Sequence, residues 1–231
     1  MYNSYALFSE LDVIKTYFSC GGEIEYSKTY LATPTERLPV VLAEDLKLEQ
    51  LYWGVTNELA KGKSVSRKLV NLPIEQALER PMYRKLISAR RCVIPSNGFY
   101  LWKQISKKQR TPYFVHLIDN QLFGIAGIWD EYEDFEGNIS HTFNMILTLT
   151  DNKLSSYHEE RPAVLTKEAS QLWLQAELDP DLARQSVLDF DENLLALHAV
   201  NPKCFDGSKD SPEIINPTLP SDQFGNYTLF S

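Results

Sequence analysis

Apolar residues change their spacing several times along this chain, and each change marks an element. From Ser9 to Phe18 they recur at helical intervals (Leu11, Ile14, Phe18). Ser9, followed by Glu10 and Asp12, is the candidate cap, and Cys20-Gly21-Gly22 is the stop. Glu23 to Leu38 is mixed, with Thr33-Pro34-Thr35 marking an irregular connection. The short runs Leu38–Leu42 and Leu51–Val55 predict strands, and polar Thr56–Lys68 predicts a surface loop. Pro73 to Ile87 reads as a helix with Asn71 as its cap. Pro81 splits it, because proline lacks the N–H that a helix interior needs.

Arg91–Pro95 and Phe99–Gln104 read as paired strands around a hairpin-type turn, Ser96-Asn97-Gly98. Tyr113–Leu117 and Gln121–Trp129 read as strands joined through Asp119-Asn120, and His141–Thr150 as another. A helix capped by Thr166 runs to Ala176, a short one covers Leu182–Leu188, and Leu195–Val200 is a last strand. Strands crowd the middle, helices flank them, and βαβ alternation is missing. The expected fold is therefore α+β, a single domain over residues 1–231 with a largely antiparallel, barrel-like β core. Residues 202–231, rich in Pro, Asp, Ser and Gly, read as an extended C-terminal tail.

Composition narrows the function classes. The chain has 231 residues and a formal charge of −8, from 23 Lys plus Arg against 31 Asp plus Glu. That is the wrong sign for general nucleic-acid binding, although basic residues gather between Lys61 and Arg91 and again at Lys103–Arg110. No apolar run approaches the ~20 residues of a membrane span. The three cysteines, Cys20, Cys92 and Cys204, are too few and too scattered for a disulfide framework or a zinc cluster. MYNSYALFSELDVIKTYF lacks a basic n-region and a small-residue cleavage site. A cytoplasmic setting is expected, with no metal, no cofactor and no membrane partner.

Of the four histidines, His116, His141 and His198 fall in predicted strands. His158, in SSYHEERPAVL, falls in a loop at a strand end, where catalytic groups tend to sit. No nucleophile elbow, phosphate-binding loop, dinucleotide fingerprint or HExxH motif occurs. In Gly124-Ile125-Ala126-Gly127 the glycines read as permitting close packing of a buried strand. From the residues alone, the chain is an α+β domain with one notable histidine.

The ordered segments say more. YWGV (Tyr52–Val55), NLPIE (Asn71–Glu75), RRCVIPSNGFYLWK (Arg90–Lys103), FGIAGIWD (Phe123–Asp130), YHEERPAVL (Tyr157–Leu165) and HAVNPKCFD (His198–Asp206) follow one another. From about Tyr52 to Asn201 the chain resembles the SRAP family, the SOS response-associated peptidases that process abasic sites in single-stranded DNA. Active members carry an N-terminal cysteine exposed by removal of Met. Its amine condenses with the open abasic aldehyde as a Schiff base, and its thiol then closes a thiazolidine. A family Asn and His position the sugar and move protons, and a Glu assists.

By this resemblance Asn71 and His158 are the retained catalytic positions. Tyr2 replaces the cysteine, and Leu101 replaces the glutamate on a turn whose aromatics floor the cleft. Trp53, Arg84, Arg90, Arg91 and Arg161 are the candidate substrate contacts. Leu72-Pro73 stands where the family has Ala-Arg, and Glu160 stands where an arginine is expected unless a one-residue shift restores Arg161. A tryptophan expected near Leu59 is absent. The resemblance implies a divergent member without crosslinking chemistry, a pseudoenzyme whose partner is single-stranded DNA with abasic sites. Two alternatives stand beside it: a weak Schiff-base lyase acting through the Met1 amine, and a non-enzymatic protein-interaction module.

Overall fold

The computed structural model describes residues 4–54, 70–133, 137–151, 153–205 and 210–227. The first half runs β1 (Tyr5–Leu7), α1 (Leu11–Phe18), β2 (Thr29–Ala32), β3 (Arg37–Leu42), β4 (Leu48–Trp53), β5 (Asn71–Pro73), α2 (Ile74–Glu79), α3 (Pro81–Ala89) and β6 (Arg91–Ser96). The second half runs β7 (Gly98–Ser106), β8 (Gln109–Leu117), β9 (Phe123–Glu133), β10 (Ile139–Leu149), β11 (Glu160–Pro162), β12 (Val164–Leu165), α4 (Lys167–Trp173), α5 (Pro180–Leu188) and β13 (Leu195–Ala199).

The barrel-like core is a closed ring. β10 pairs with β4, β4 with β3, β3 with β6, β6 with β9, and β9 returns to β10. Within this ring of described strands only the β10–β4 contact is parallel. Closure removes the exposed strand edges that an open sheet would leave. It also explains why β3 and β6 read as continuous apolar runs: nearly every residue in them is buried. The second sheet, β13-β8-β7-β1-β2, is antiparallel throughout.

β6 and β7, adjacent in the chain, belong to different sheets, and this corrects the expected hairpin. β6 pairs with β3 and β9, whereas β7 pairs with β1 and β8. Ser96-Asn97-Gly98 is thus a corner between sheets. Asn97 holds it: its Oδ1 accepts from the N–H groups of Phe8 (2.8 Å) and Ser9 (3.0 Å), and its Nδ2 donates to Ser9 Oγ (2.8 Å). Ser9 is spent on this corner and does not cap α1, which starts two residues later with Glu10 at the cap position. Gly98 is required by proximity, since a Cβ there would sit 2.2 Å from the Phe114 ring and 2.7 Å from Val115 O. Asp119-Asn120 likewise links the two sheets, β8 to β9.

The predicted split at Pro81 occurs, with Arg80 extended between α2 and α3 and Pro81 in the first turn of α3. Asn71 does not cap α2. It lies in β5, paired in parallel with Met145 of β10, and Pro73 holds the cap position. Thr166 does cap α4, accepting from Ala169 N (3.2 Å). Gly124 lets α4 approach β9, because a Cβ there would meet Ser170 Oγ at 2.5 Å. The predicted loop Thr56–Lys68 and the position of Leu59 lie outside the described residues. No described helix is long and apolar enough to cross a membrane.

Candidate functional site

β7 is where the two faces of one strand part company. Phe99 and Leu101 enter the main core, while Tyr100 joins a smaller cluster with Ala6, Phe114, Val200 and Ile214. Tyr100, Trp102 and Gln104 share the face opposite Leu101. With Arg110 of β8 and the loop residues Ser155, Ser156, Tyr157, His158 and Glu159 they line a cleft of about 400 Å³. Leu101 is 1% exposed, and its cross-strand partner is Tyr113. The aromatic floor of the cleft is therefore the face of β7 turned away from Leu101.

The cleft is built from stacked pairs. The Arg110 guanidinium carbon lies 4.5 Å from the Trp102 ring, and Phe205 packs edge-on against both Trp102 and Tyr100, each at 5.0 Å. Lys103 Nζ lies 4.7 Å from the Tyr157 ring, whose other neighbour is Tyr113 at 4.9 Å. His158 is half-buried, and burial pushes its pKa below the ordinary imidazole value. Its Nδ1 sits 3.1 Å from both the N–H and the C=O of Glu160. The neutral ring accepts from the first, and the protonated ring donates to the second.

A buried acid anchors the loop that carries His158. The Glu192 carboxylate, in a residue 5% exposed, accepts from Asp151 N (2.9 Å), Leu154 N (3.2 Å) and Arg161 Nε (2.8 Å). Thr150 Oγ1 donates to His158 O at 2.6 Å, and Leu154 is fully buried beneath the loop. Asn71 and His158, the two positions the resemblance marks, both hang on β10. Asn71 pairs with Met145 along one edge, and Glu160, two residues after His158, pairs with Leu149 along the other.

The expected substrate contacts separate sharply. Arg84 is exposed on α3. Arg90 lies 4.8 Å over Trp129 and pairs with Asp130 (2.8 Å) and Glu131 (3.5 Å). Arg91 is 1% exposed, and its five N–H donors meet five carbonyls. Nε donates to Trp173 O (2.8 Å), Nη1 to Ser88 O (2.8 Å) and Ile87 O, and Nη2 to Ala176 O (3.3 Å) and Gln175 O. Nothing of that guanidinium is left for a phosphate, so its place is structural.

Arg161, 3% exposed, is held by Glu192, by Pro162 O at 3.1 Å and by the Phe190 ring at 5.2 Å. Held in this way, Arg161 is not among the residues that line the cleft. Trp53 is fully buried, with Nε1 on Val70 O (3.1 Å) and its ring stacked on Phe143, so it has no face open to a base. Tyr2 lies outside the described residues.

The basic Lys103–Arg110 stretch and the aromatics of β7 meet His158 only in the fold. The even spacing of Tyr100, Trp102 and Gln104 was the available signal. A second hollow, of about 480 Å³, is lined by Tyr17, Leu117, Phe123, Leu165 and Phe190 among others, and holds none of the expected site residues. Among the described residues no cluster of three or more His, Cys, Asp or Glu could hold a metal.

Comparison with known proteins places this architecture. Residues 1–206 match the SOS response associated peptidase (SRAP) family, and the chain belongs to it. It is 28% identical over 221 residues to the abasic site processing protein YobE of Bacillus subtilis (strain 168), covering 93% of this chain and 99% of that one. It is 26% identical over 177 residues to the abasic site processing protein YedK of Escherichia coli (strain K12), covering 75% and 77%. A crystal structure of a Bacteroides thetaiotaomicron protein superposes with a TM-score of 0.79 at 21% identity, over 94% of this chain and 99% of that one.

Proposed function

We propose that this chain is a SRAP protein that engages abasic single-stranded DNA in the cleft at His158 without closing a thiazolidine ring. The observation that carries this reading is Leu101. It stands where the resemblance puts a proton-transferring glutamate, and it is 1% exposed inside the core. An isobutyl group shut away from water neither takes nor gives a proton.

The expectation at Tyr2 points the same way, and the two buried thiols, Cys20 and Cys92, offer no substitute. Burial pushes the Cys92 thiol far up, and burial also raises the Cys20 thiol, so neither is poised as a thiolate. The substrate class is supported by the relatives, which are abasic site processing proteins. The cleft has what a single strand needs: the aromatic surfaces of Trp102 and Tyr157, the Arg110 guanidinium, and the hydroxyls of Ser155 and Ser156. In this reading the neutral His158 imidazole serves as a hydrogen-bonding group toward the opened sugar, while Asn71 lies outside the residues that line the cleft.

The test is fluorescence anisotropy with abasic and intact oligonucleotides, alongside intact mass after heating. Binding that weakens with salt, and an unchanged protein mass, are expected. A heat-stable conjugate on the first residue would overturn the loss of crosslinking. No binding at low salt would overturn the DNA-binding reading, and an adduct trapped only by borohydride would move the chain to the lyase alternative.

A further inference from the structure

Beyond residue 206, where the family match ends, the chain returns to the cleft. Asp222 is fully buried and collects four donors. Its Oδ1 accepts from Phe224 N (3.0 Å) and Asn226 N (2.8 Å), and its Oδ2 from Asn226 Nδ2 (3.1 Å) and Gln109 Nε2 (2.8 Å). Burial acts to raise this carboxyl, but the donors outweigh it and hold its pKa below the ordinary value. The turn so formed presents Gln223 to the β7–β8 hairpin. Gln223 N donates to Arg110 O (3.0 Å), Arg110 N donates to Gln223 Oε1 (2.7 Å), and Gln223 Nε2 donates to Lys108 O (2.6 Å).

This segment fills a gap in the sheet. β13 pairs with β8 only from Tyr113 to Leu117, so Arg110 lies in a stretch of β8 that β13 does not reach. Its outward backbone groups would otherwise stand as an unpaired edge. With both fixed, the Arg110 side chain lies over Trp102, across the strand pair, at 4.5 Å. Stacking occupies the flat face of a guanidinium and leaves its in-plane N–H edge available, the geometry that phosphate oxygens match.

We infer that residues 221–226 are a clamp that sets Arg110 against Trp102, so that the guanidinium's outer edge binds a phosphate of the strand in the cleft. This inference rests on the DNA-binding reading above. Arg110 is the contact, and Gln223 and Asp222 are positioning residues that act through it.

The test is anisotropy with abasic single-stranded DNA across a salt series for the wild type, Arg110→Ala, Gln223→Ala and the double variant, with thermal melts showing that each is folded. One lost phosphate contact lowers the log–log salt slope by about 0.7, so the affinity ratio between 50 and 200 mM salt shrinks by about 2.6-fold. Both single variants should show that change, and the double variant no more than either. Gln109→Ala, a milder change that removes one donor to Asp222, should move the slope in the same direction. A Gln223→Ala slope equal to the wild type's, or a double variant showing the sum of two losses, overturns the clamp. An unmoved slope in Arg110→Ala overturns the phosphate contact. A wild type that binds no DNA at any salt overturns the DNA-binding reading itself, which is a different result from a bound strand with an unmoved slope.

Discussion

Replacing Arg91 with Met separates a structural arginine from a DNA-binding one. The side chain lies where the C-terminal ends of α3 and α4 converge, and its donors satisfy carbonyls of Ile87, Ser88, Trp173, Gln175 and Ala176. Carbonyls at helix C-termini have no partner within the helix and carry the negative end of its dipole, so a cation there is favoured twice. Burial pushes the guanidinium pKa down, but arginine starts so high that it stays charged. Hydrogen bonds from a charged donor contribute about 1.5–3 kcal/mol each. The desolvation of the guanidinium offsets much of that sum, and breaking a buried charged network costs about 3–5 kcal/mol net.

Methionine nearly fills the volume, so the loss measures polar satisfaction more than a cavity. Urea unfolding followed by tryptophan fluorescence should show Arg91→Met less stable by about 3–5 kcal/mol, a large share of the ~5–15 kcal/mol that holds a typical domain. Arg91→Lys keeps the charge but has three donors in place of five, and should recover only part. The slope of DNA affinity against salt should not change in either variant, provided the protein is folded at the assay temperature. A loss below about 1 kcal/mol, or a salt slope lowered by about 0.7, would refute the structural assignment.

Further outcomes follow from other contacts. Gly98→Ala should cost about 1–3 kcal/mol by forcing the Phe114 ring and Val115 carbonyl away from the corner, and a thermal melt matching the wild type would contradict that close approach. Glu192→Ala strands the buried Arg161 and two loop N–H groups, so a loss of about 3–5 kcal/mol is expected, with faster amide exchange at Leu154. Unchanged exchange there would separate Glu192 from the loop. For His158 the folded pKa is depressed, so its stabilising contribution is full above the unfolded value near 6.5 and is lost as pH falls through the lowered folded value. Unfolding free energies from pH 7.5 to 4.5 should therefore fall more steeply for the wild type than for His158→Gln, and parallel curves would rule that out.

Local signals were legible where neighbours in the sequence decide the structure. The Thr166 cap, the proline break at Arg80-Pro81, the helical spacing of α1 and the apolar runs of β3 and β6 depend on a few adjacent residues, and the chain reads them out directly. The order of the family segments likewise points to the SRAP family. What the sequence alone could not decide was pairing. Ser96-Asn97-Gly98 looks like a hairpin turn to any local rule, yet Asn97 is held by Phe8 and Ser9, 88 or more residues away, and the strands on either side enter different sheets. Neighbouring arginines show the same limit. Arg90 and Arg91 are adjacent and chemically identical, but Arg90 is the residue that ends α3 and Arg91 opens β6, so the first meets surface carboxylates and the second the buried ends of two helices. The fate of a polar side chain depends on which distant groups the fold brings to it, and only the tertiary structure supplies those partners.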